Sequence, residues 1–95
     1  MKTNVTFRHF NGHHPDLQEM AIEAANRFSK FHDSIISANI DFLNENEKTV
    51  QFTVNVAGTT LVAKDSSDEL KKSLALAEDK MIRQIKKFKE KKSEH

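Results

Sequence analysis

The side chains with the clearest chemical potential are the lysines and arginines gathered near the C-terminus. Residues 80–92, KMIRQIKKFKEKK, hold seven Lys or Arg and a single acid, whereas the whole chain has a formal net charge of +1. Residues 1–79 hold eight Lys or Arg against twelve Asp or Glu, so the positive charge is concentrated in the last sixteen residues. This asymmetry indicates a polyanionic partner, because clustered cations attract phosphates or acidic surfaces.

These cations follow a helical repeat. A stripe of apolar residues at spacings of three and four predicts a helix from about residue 66 to residue 90: Leu70, Leu74, Ala77, Met81, Ile85 and Phe88. A second, exposed row comprises Lys72, Leu76, Lys80, Arg83, Lys87 and Lys91, with Lys86 and Lys89 on neighbouring arcs. The helix dipole favours cations in the last turn, but this row reaches back several turns and includes like charges four residues apart. It therefore favours polyanion binding over an ordinary solvated face.

Other kinds of functional site have weaker support. His9, His13 and His14 lie close together, and imidazole is a common metal ligand, but the chain has no Cys and no HExxH motif. No glycine-rich phosphate loop or paired carboxylates occur, and Ser66 with Glu69 fits a helix capping box better than a nucleophile. We therefore expect no enzyme activity, no metal and no cofactor. A small metal-dependent enzyme using the histidines is the weakest alternative.

The elements that must hold the basic helix follow the order β-α-β-β-β-α. Apolar alternation predicts strands over residues 2–10, 35–42 and 49–56, with a shorter strand near 59–64, and the helical period predicts a helix over 16–31. In the second strand, the predicted inward face holds Ile36, Ala38, Ile40 and Phe42. The sequence thus predicts an α+β fold in which both helices cover one face of a four-stranded antiparallel sheet.

Length and composition limit the class of protein further. Ninety-five residues suit one domain, spanning residues 1–95, and there is no apolar run of signal-peptide or membrane-span length. We expect a cytoplasmic protein with no membrane or small-molecule partner. The chain has seven Phe and no Tyr or Trp, and the Phe residues fall on apolar faces. Recognition of a folded RNA surface is therefore favoured over capture of unstacked bases.

The element order and two segments, RFSKFHDSI (27–35) and DKMIRQIKKFKEK (79–91), resemble the hibernation-promoting factor and protein Y family. That family is related in architecture to double-stranded-RNA-binding domains, and the resemblance covers nearly the whole chain. It implies a ribosome hibernation factor that binds small-subunit rRNA in the decoding channel, over the mRNA and tRNA sites. It also implies inhibition of translation in stationary or stressed cells.

The resemblance implies particular rRNA contacts: Arg27 and Lys30 on the first helix, and Lys80, Arg83, Lys87, Lys89 and Lys91 on the last. Lys86 is also basic, at a position where the family pattern is less fixed, and charge placement alone adds Arg8 and Lys72. One segment departs from the family pattern, because ELKKSLA (69–75) lacks a Tyr and an Asp that the family typically shows. Since long members continue into a second domain that pairs two ribosomes, we expect a short form without that dimerisation domain, monomeric when free.

A different class of function stays open at this point. The basic row could instead meet an acidic protein surface, with Leu76 as an apolar anchor. The protein would then be an interaction module, for example a regulator of transcription factors.

Overall fold

The computed structural model describes residues 1–93, and their side chains as far as Lys89. In chain order the elements are β1 (Lys2–Arg8), α1 (Pro15–Ser29), β2 (Ile35–Asn44), β3 (Lys48–Val56), β4 (Thr59–Ser67) and α2 (Leu70–Ser93). This is the predicted order, so the α+β class is confirmed. No helix within residues 1–93 is long and apolar enough to cross a membrane.

The four strands form one sheet in the order β1-β2-β3-β4. The pairs β2–β3 and β3–β4 are antiparallel, as expected for strands joined by short turns. The prediction of a wholly antiparallel sheet is wrong for β1, which pairs with β2 in parallel. The reason is the connection: α1 carries the chain back to the starting end before β2 begins, and such crossovers join parallel strands.

Both helices cover the same face of this sheet. α1 packs against β1 and β2, and α2 packs against β3 and β4. The core between the layers is apolar, and Phe28 of α1 meets Phe52 of β3 edge to face at 5.1 Å between ring centroids. At the side of the sheet, Phe7 of β1 stacks on Phe42 of β2 at 5.0 Å. The first contact holds α1 against the sheet, and the second joins the neighbouring strands β1 and β2.

The start of β2 differs from the predicted pattern. The pairing with β3 shifts between Ile35 and Ser37, so that Ile36 is the extra residue of a β-bulge. Ile35 is buried in the core and Ile36 is 61% exposed, which makes the predicted inward position of Ile36 wrong. After the bulge, Ala38, Ile40 and Phe42 are buried as predicted. One unpaired residue shifts the alternation of buried and exposed side chains along β2 by one position. The sequence has no Gly or Pro there from which the bulge could be predicted.

The connection from β4 to α2 also differs from the prediction. β4 continues to Ser67, and the Ser66 hydroxyl lies 2.8 Å from the Thr49 hydroxyl across the sheet, so Ser66 does not cap the helix. The Ser67 hydroxyl instead accepts a hydrogen bond from the backbone N–H of Glu69 at 3.2 Å. The buried Ser73 hydroxyl donates to the carbonyl of Lys48 at 2.5 Å, which ties the first turn of α2 to the start of β3.

Neither of the two described helices covers the second face of the sheet. Its polar side chains bond to one another across strands: Asn4 donates to Asn39 at 3.0 Å, and Asn55 donates to Ser37 at 2.7 Å. Thr6 likewise donates to the Asp41 carboxylate. We call this surface the open sheet face. The amide, hydroxyl and carboxylate groups of these pairs satisfy one another, as cross-strand pairs on a solvated face commonly do.

Candidate nucleic-acid interface

The basic surface of α2 arises from the burial of the helix's opposite side. Leu74, Ala77, Met81 and Ile85 are buried against the sheet, as the apolar stripe predicts. The helical period then turns the cations outward. The described ones are all exposed: Lys72, Lys80, Arg83, Lys86, Lys87 and Lys89. The predicted contact of Lys91 lies outside the residues whose side chains the structure describes.

The two helices run in the same direction. Three contacts cross from α1 to α2 and advance along both helices together: Asp16 with Lys71, Arg27 with Glu78, and Phe31 with Lys86. The C-terminal ends of both helices therefore lie at the same end of the molecule. Lys30, immediately after α1, is thereby brought to the part of α2 that carries Lys86, Lys87 and Lys89. We call these four lysines the basic end.

The ammonium groups of the basic end lack carboxylate partners. Within the described part of the chain, the ammonium groups of Lys30, Lys87 and Lys89 form no hydrogen bond or ion pair. Lys86 places its Nζ 5.1 Å from the centroid of the Phe31 ring, a cation–π contact that fixes the side chain without neutralising it. Four exposed positive charges, one just after α1 and three on α2, thus lie at the same end of the molecule, where like charges repel one another. An anion that bridges them would relieve that repulsion.

Two other predicted contacts on α2 are paired with carboxylates. Lys80 Nζ lies 3.0 Å from Asp65 Oδ2 and also donates to the carbonyl of Lys64 at 3.3 Å. The hydrogen bond from Lys80, helped by the backbone N–H of Ser66, holds the pKa of Asp65 below its ordinary value. Arg83 Nη2 lies 2.9 Å from Asp79 Oδ2 one turn earlier. Any phosphate that contacts these two cations must compete with a carboxylate.

Arg27 is the most firmly paired of the predicted contacts. Its Nε and Nη2 donate to the two oxygens of Glu78, at 2.5 and 2.8 Å. This two-point geometry matches a guanidinium edge to a carboxylate. The hydrogen bonding that Arg27 donates to the Glu78 carboxylate raises the pKa of Arg27 above its ordinary value, and burial opposes the shift to a smaller extent. Arg27 therefore joins α1 to α2 as well as carrying charge.

The cations of α2 lie on both of its flanks. On the β4 flank, Gln84 donates to the carbonyl of Val62 at 2.7 Å next to the Lys80 contact, and Lys87 lines a groove beside Leu61. These side chains also cover carbonyls on the outer edge of β4, where an unprotected edge strand would invite pairing. On the α1 flank lies Lys86 over Phe31. α2 is thus a ridge with positive charge on each side.

Two predicted contacts lie apart from the basic end. Lys72 is near the start of α2, about 22 Å along the helix axis from Lys87 at 1.5 Å per residue. Arg8 lies on the open sheet face, where it lines a small groove with Asp41 and Lys64. The structure therefore gathers Lys30, Lys86, Lys87 and Lys89, leaves Arg27, Lys80 and Arg83 beside them in ion pairs, and separates Arg8 and Lys72.

The i,i+4 spacing of Asp79 and Arg83 indicates their pairing in the sequence, but the carboxylates that pair with Arg27 and Lys80 were not identified there. Glu78 is adjacent to the buried Ala77, and its position beside the apolar stripe is the one local sign that it faces a neighbouring element. Asp65 lies in DSSDEL (65–70), which the sequence predicts to be the start of a helix, and is part of β4. Both pairs join elements distant in the sequence, so their partners follow only from the fold.

The histidine cluster is part of a packed loop. The His14 ring lies 4.9 Å from that of Phe10 and 6.0 Å from that of Phe7, and its Nε2 lies 3.2 Å from the carbonyl of Asn11. His9 points to Glu45 at 3.9 Å. Among the side chains that the structure describes, no group of three or more His, Cys, Asp or Glu could hold a metal ion.

Solved structures share this architecture, and 24 chains match it. A ribosomal subunit interface protein from Coxiella burnetii is 25% identical, with a TM-score of 0.79 over 94% of this chain and 98% of its own. The N-terminal domain of Protein Y from Thermus thermophilus has a TM-score of 0.83 at 15% identity, over 93% of this chain and 99% of its own, which shows a shared fold. A sequence search among curated proteins finds no significant match.

The fold and these comparisons together define a small β-α-β-β-β-α protein of the ribosome-associated class. The family model described as Sigma 54 modulation protein / S30EA ribosomal protein matches residues 3–93, so the chain belongs to that family. The predicted resemblance to hibernation-promoting factors and protein Y is thereby confirmed.

Proposed function

We propose that this protein binds the rRNA of the small ribosomal subunit in the decoding channel, over the mRNA and tRNA sites. It would thereby inhibit translation in stationary or stressed cells. Family membership and the likeness to a ribosomal subunit interface protein support ribosome association. The observation that carries the proposal is the basic end, where Lys30 after α1 and three lysines of α2 lie at one end of the molecule with no carboxylate partner among the described residues.

The side chains available suit contacts to the RNA backbone. Lysine ammonium groups bind phosphate oxygens and supply affinity and position without reading bases. All seven Phe residues are buried or half-buried, and there is no Tyr or Trp, so no exposed aromatic platform offers base stacking. Recognition would therefore rest on the shape of a folded RNA, with phosphates approaching both flanks of α2.

The charge distribution also orients the protein. At the other end of the molecule, the helix N-termini and the β2–β3 turn bring together five acids: Asp16, Glu45, Glu47, Asp68 and Glu69. This acidic end would be repelled by rRNA phosphates. The basic end would therefore enter the RNA channel, and the β2–β3 turn would face away from it.

Co-sedimentation with purified small ribosomal subunits across a salt series tests the proposal. The four lysines of the basic end and one further contact would give a slope of log affinity against log salt of about −4, at roughly 0.7–0.9 per phosphate. We expect saturation near one copy per subunit, with loss of binding when mRNA and tRNA occupy the decoding sites. Absence of binding at low salt would refute ribosome association. Binding that is insensitive to mRNA and tRNA would refute the decoding channel.

A protein partner is the second candidate, and one observation favours it. Leu76 is 41% exposed between Lys72 and Lys80, an apolar side chain set in a basic row. A partner surface that is acidic around an apolar pocket would suit this row. Treatment of a cell lysate with RNase separates the two candidates: co-purifying ribosomal components should be lost if RNA is the ligand, whereas a direct protein partner should remain.

A further inference from the structure

The pair formed by Arg27 and Glu78 is the firmest polar connection between the two helices. Both oxygens of Glu78 accept from one edge of the guanidinium, at 2.5 and 2.8 Å. The Glu78 side chain is only 14% exposed, so its carboxylate is largely withdrawn from water. By contrast, the ion pair of Lys71 with Asp16 is longer, at 3.8 Å, and both of its side chains are about two-thirds exposed.

This pair is placed so that it controls the geometry of the basic end. Arg27 precedes Lys30 by three residues, about 4.5 Å along the axis of α1 at 1.5 Å per residue. Glu78 precedes Lys86 by eight residues, about 12 Å along α2. The basic end follows this contact along both helices. The contact therefore influences the spacing between Lys30 and the lysines of α2.

Direct contact with phosphate is the competing role for Arg27. To present the same guanidinium edge to a phosphate, Arg27 would have to leave Glu78. The carboxylate would then remain largely buried without its partner, which is costly, and it would repel the incoming phosphate. The geometry therefore assigns the edge of Arg27 that makes two-point contacts to the protein itself.

We infer that Arg27 is a positioning residue that, bound to Glu78, sets the spacing between the helix ends at which the lysines of the basic end meet rRNA. This inference rests on the proposed function. It assigns phosphate contact to the lysines, and it gives an acidic residue, Glu78, a favourable role in binding a polyanion.

Neutral substitutions at the two positions test it through the sign of their effects. Glu78→Gln removes a negative charge and Arg27→Gln removes a positive one, so simple electrostatics predicts opposite changes in affinity for small subunits. If the pair positions the helices, both variants weaken binding, by roughly tenfold if one charge-assisted hydrogen bond to RNA is lost. The double exchange Arg27→Glu/Glu78→Arg restores the pair and should recover affinity to within about threefold of the wild type.

Asp79→Asn is the matched control, because it removes a neighbouring acid on the same helix that pairs with Arg83 instead. It should leave binding unchanged or tighten it. Tighter or unaltered binding by Glu78→Gln would overturn the inference and return Arg27 to the phosphate contacts. If instead the wild-type protein failed to bind small subunits, the proposed function would fall. Unfolding free energies of the two single variants and the double variant would still show whether the residues are coupled.

Discussion

The open sheet face and the basic end are both polar, but they differ in hydrogen bonding. The amides of the open sheet face have hydrogen-bond partners on neighbouring strands, whereas the lysines of the basic end have no carboxylate partner among the described residues. On the sheet, Asn4 is bonded to Asn39 and Asn55 to Ser37. At the basic end, Lys30, Lys87 and Lys89 have no such partner within the described residues. A surface whose groups satisfy one another gains little from a ligand, whereas unpaired like charges gain from any anion that separates them. This contrast is the reason for proposing the basic end, and not the open sheet face, as the surface that binds rRNA.

Charge reversal at the basic end should have the largest effect on affinity for small ribosomal subunits. Changing Lys30, Lys87 and Lys89 to Glu removes three phosphate contacts and adds repulsion, so we expect affinity for small subunits to fall roughly 100-fold or more. Co-sedimentation at fixed salt measures the loss, and circular dichroism with thermal unfolding shows whether the variant is folded.

A matched variant carries the same change in net charge elsewhere. Lys2 and Lys64 lie on the open sheet face, and Lys71 lies near the start of α2. Reversal of these three should change affinity by only a few fold, through long-range electrostatics that salt screens. Equal losses in the two variants would show that net charge, and not the basic end, governs binding.

The order of elements and the exposed cations of α2 could be predicted from the sequence, because helical and strand periods are local properties. Met81 and Ile85 reveal the buried side of α2, and the cations follow on the other side. The bulge at Ile36 could not be predicted, since two adjacent isoleucines fit the core equally well. The parallel pairing of β1 also depends on a connection through α1 that periodicity does not describe.

The candidate site was predictable in composition but not in arrangement. The sequence does not show that Lys30 joins Lys86, because that proximity requires two helices running in the same direction. Nor does it show that Arg27 bonds to Glu78, which is 51 residues away. Ion pairs between elements depend on distances that only packing determines, so paired and unpaired cations look alike in the sequence.

Removing the carboxylate partner of a paired cation should raise the affinity for small subunits moderately, whereas charge reversal lowers it. Asp65→Asn frees Lys80 from its carboxylate, and a freed Lys80 can contact phosphate. We expect roughly threefold tighter binding and a salt slope steeper by about 0.7–0.9, the contribution of one phosphate. Unchanged affinity and slope would show that Lys80 stays bound to the edge of β4 in the complex.

The same variant has a defined pH dependence of stability. Because the pKa of Asp65 is lowered in the folded protein, its ion pair stabilises the fold above the ordinary Asp value of 3.8. That contribution is lost as the pH falls through the lower folded-state pKa. The wild type should therefore be more stable than Asp65→Asn near neutral pH, and the difference should shrink below about pH 3.8. Urea unfolding at several pH values measures it, and a difference that grew on acidification would contradict the assignment.

The smallest effects should mark the limits of the interface. Lys72 lies about 22 Å along α2 from Lys87, at 1.5 Å per residue, and Arg8 lies on the open sheet face. Both were predicted to contact rRNA from charge placement, and a substitution to Ala at either position should now weaken binding by less than about twofold, since separated charges act only through screened electrostatics. The salt slope is the sharper measurement, because a lost phosphate contact lowers it by about 0.7–0.9 whatever the affinity. A shallower slope for Lys72→Ala alone would extend the interface along the whole of α2, and one for Arg8→Ala would mean that rRNA also reaches the open sheet face.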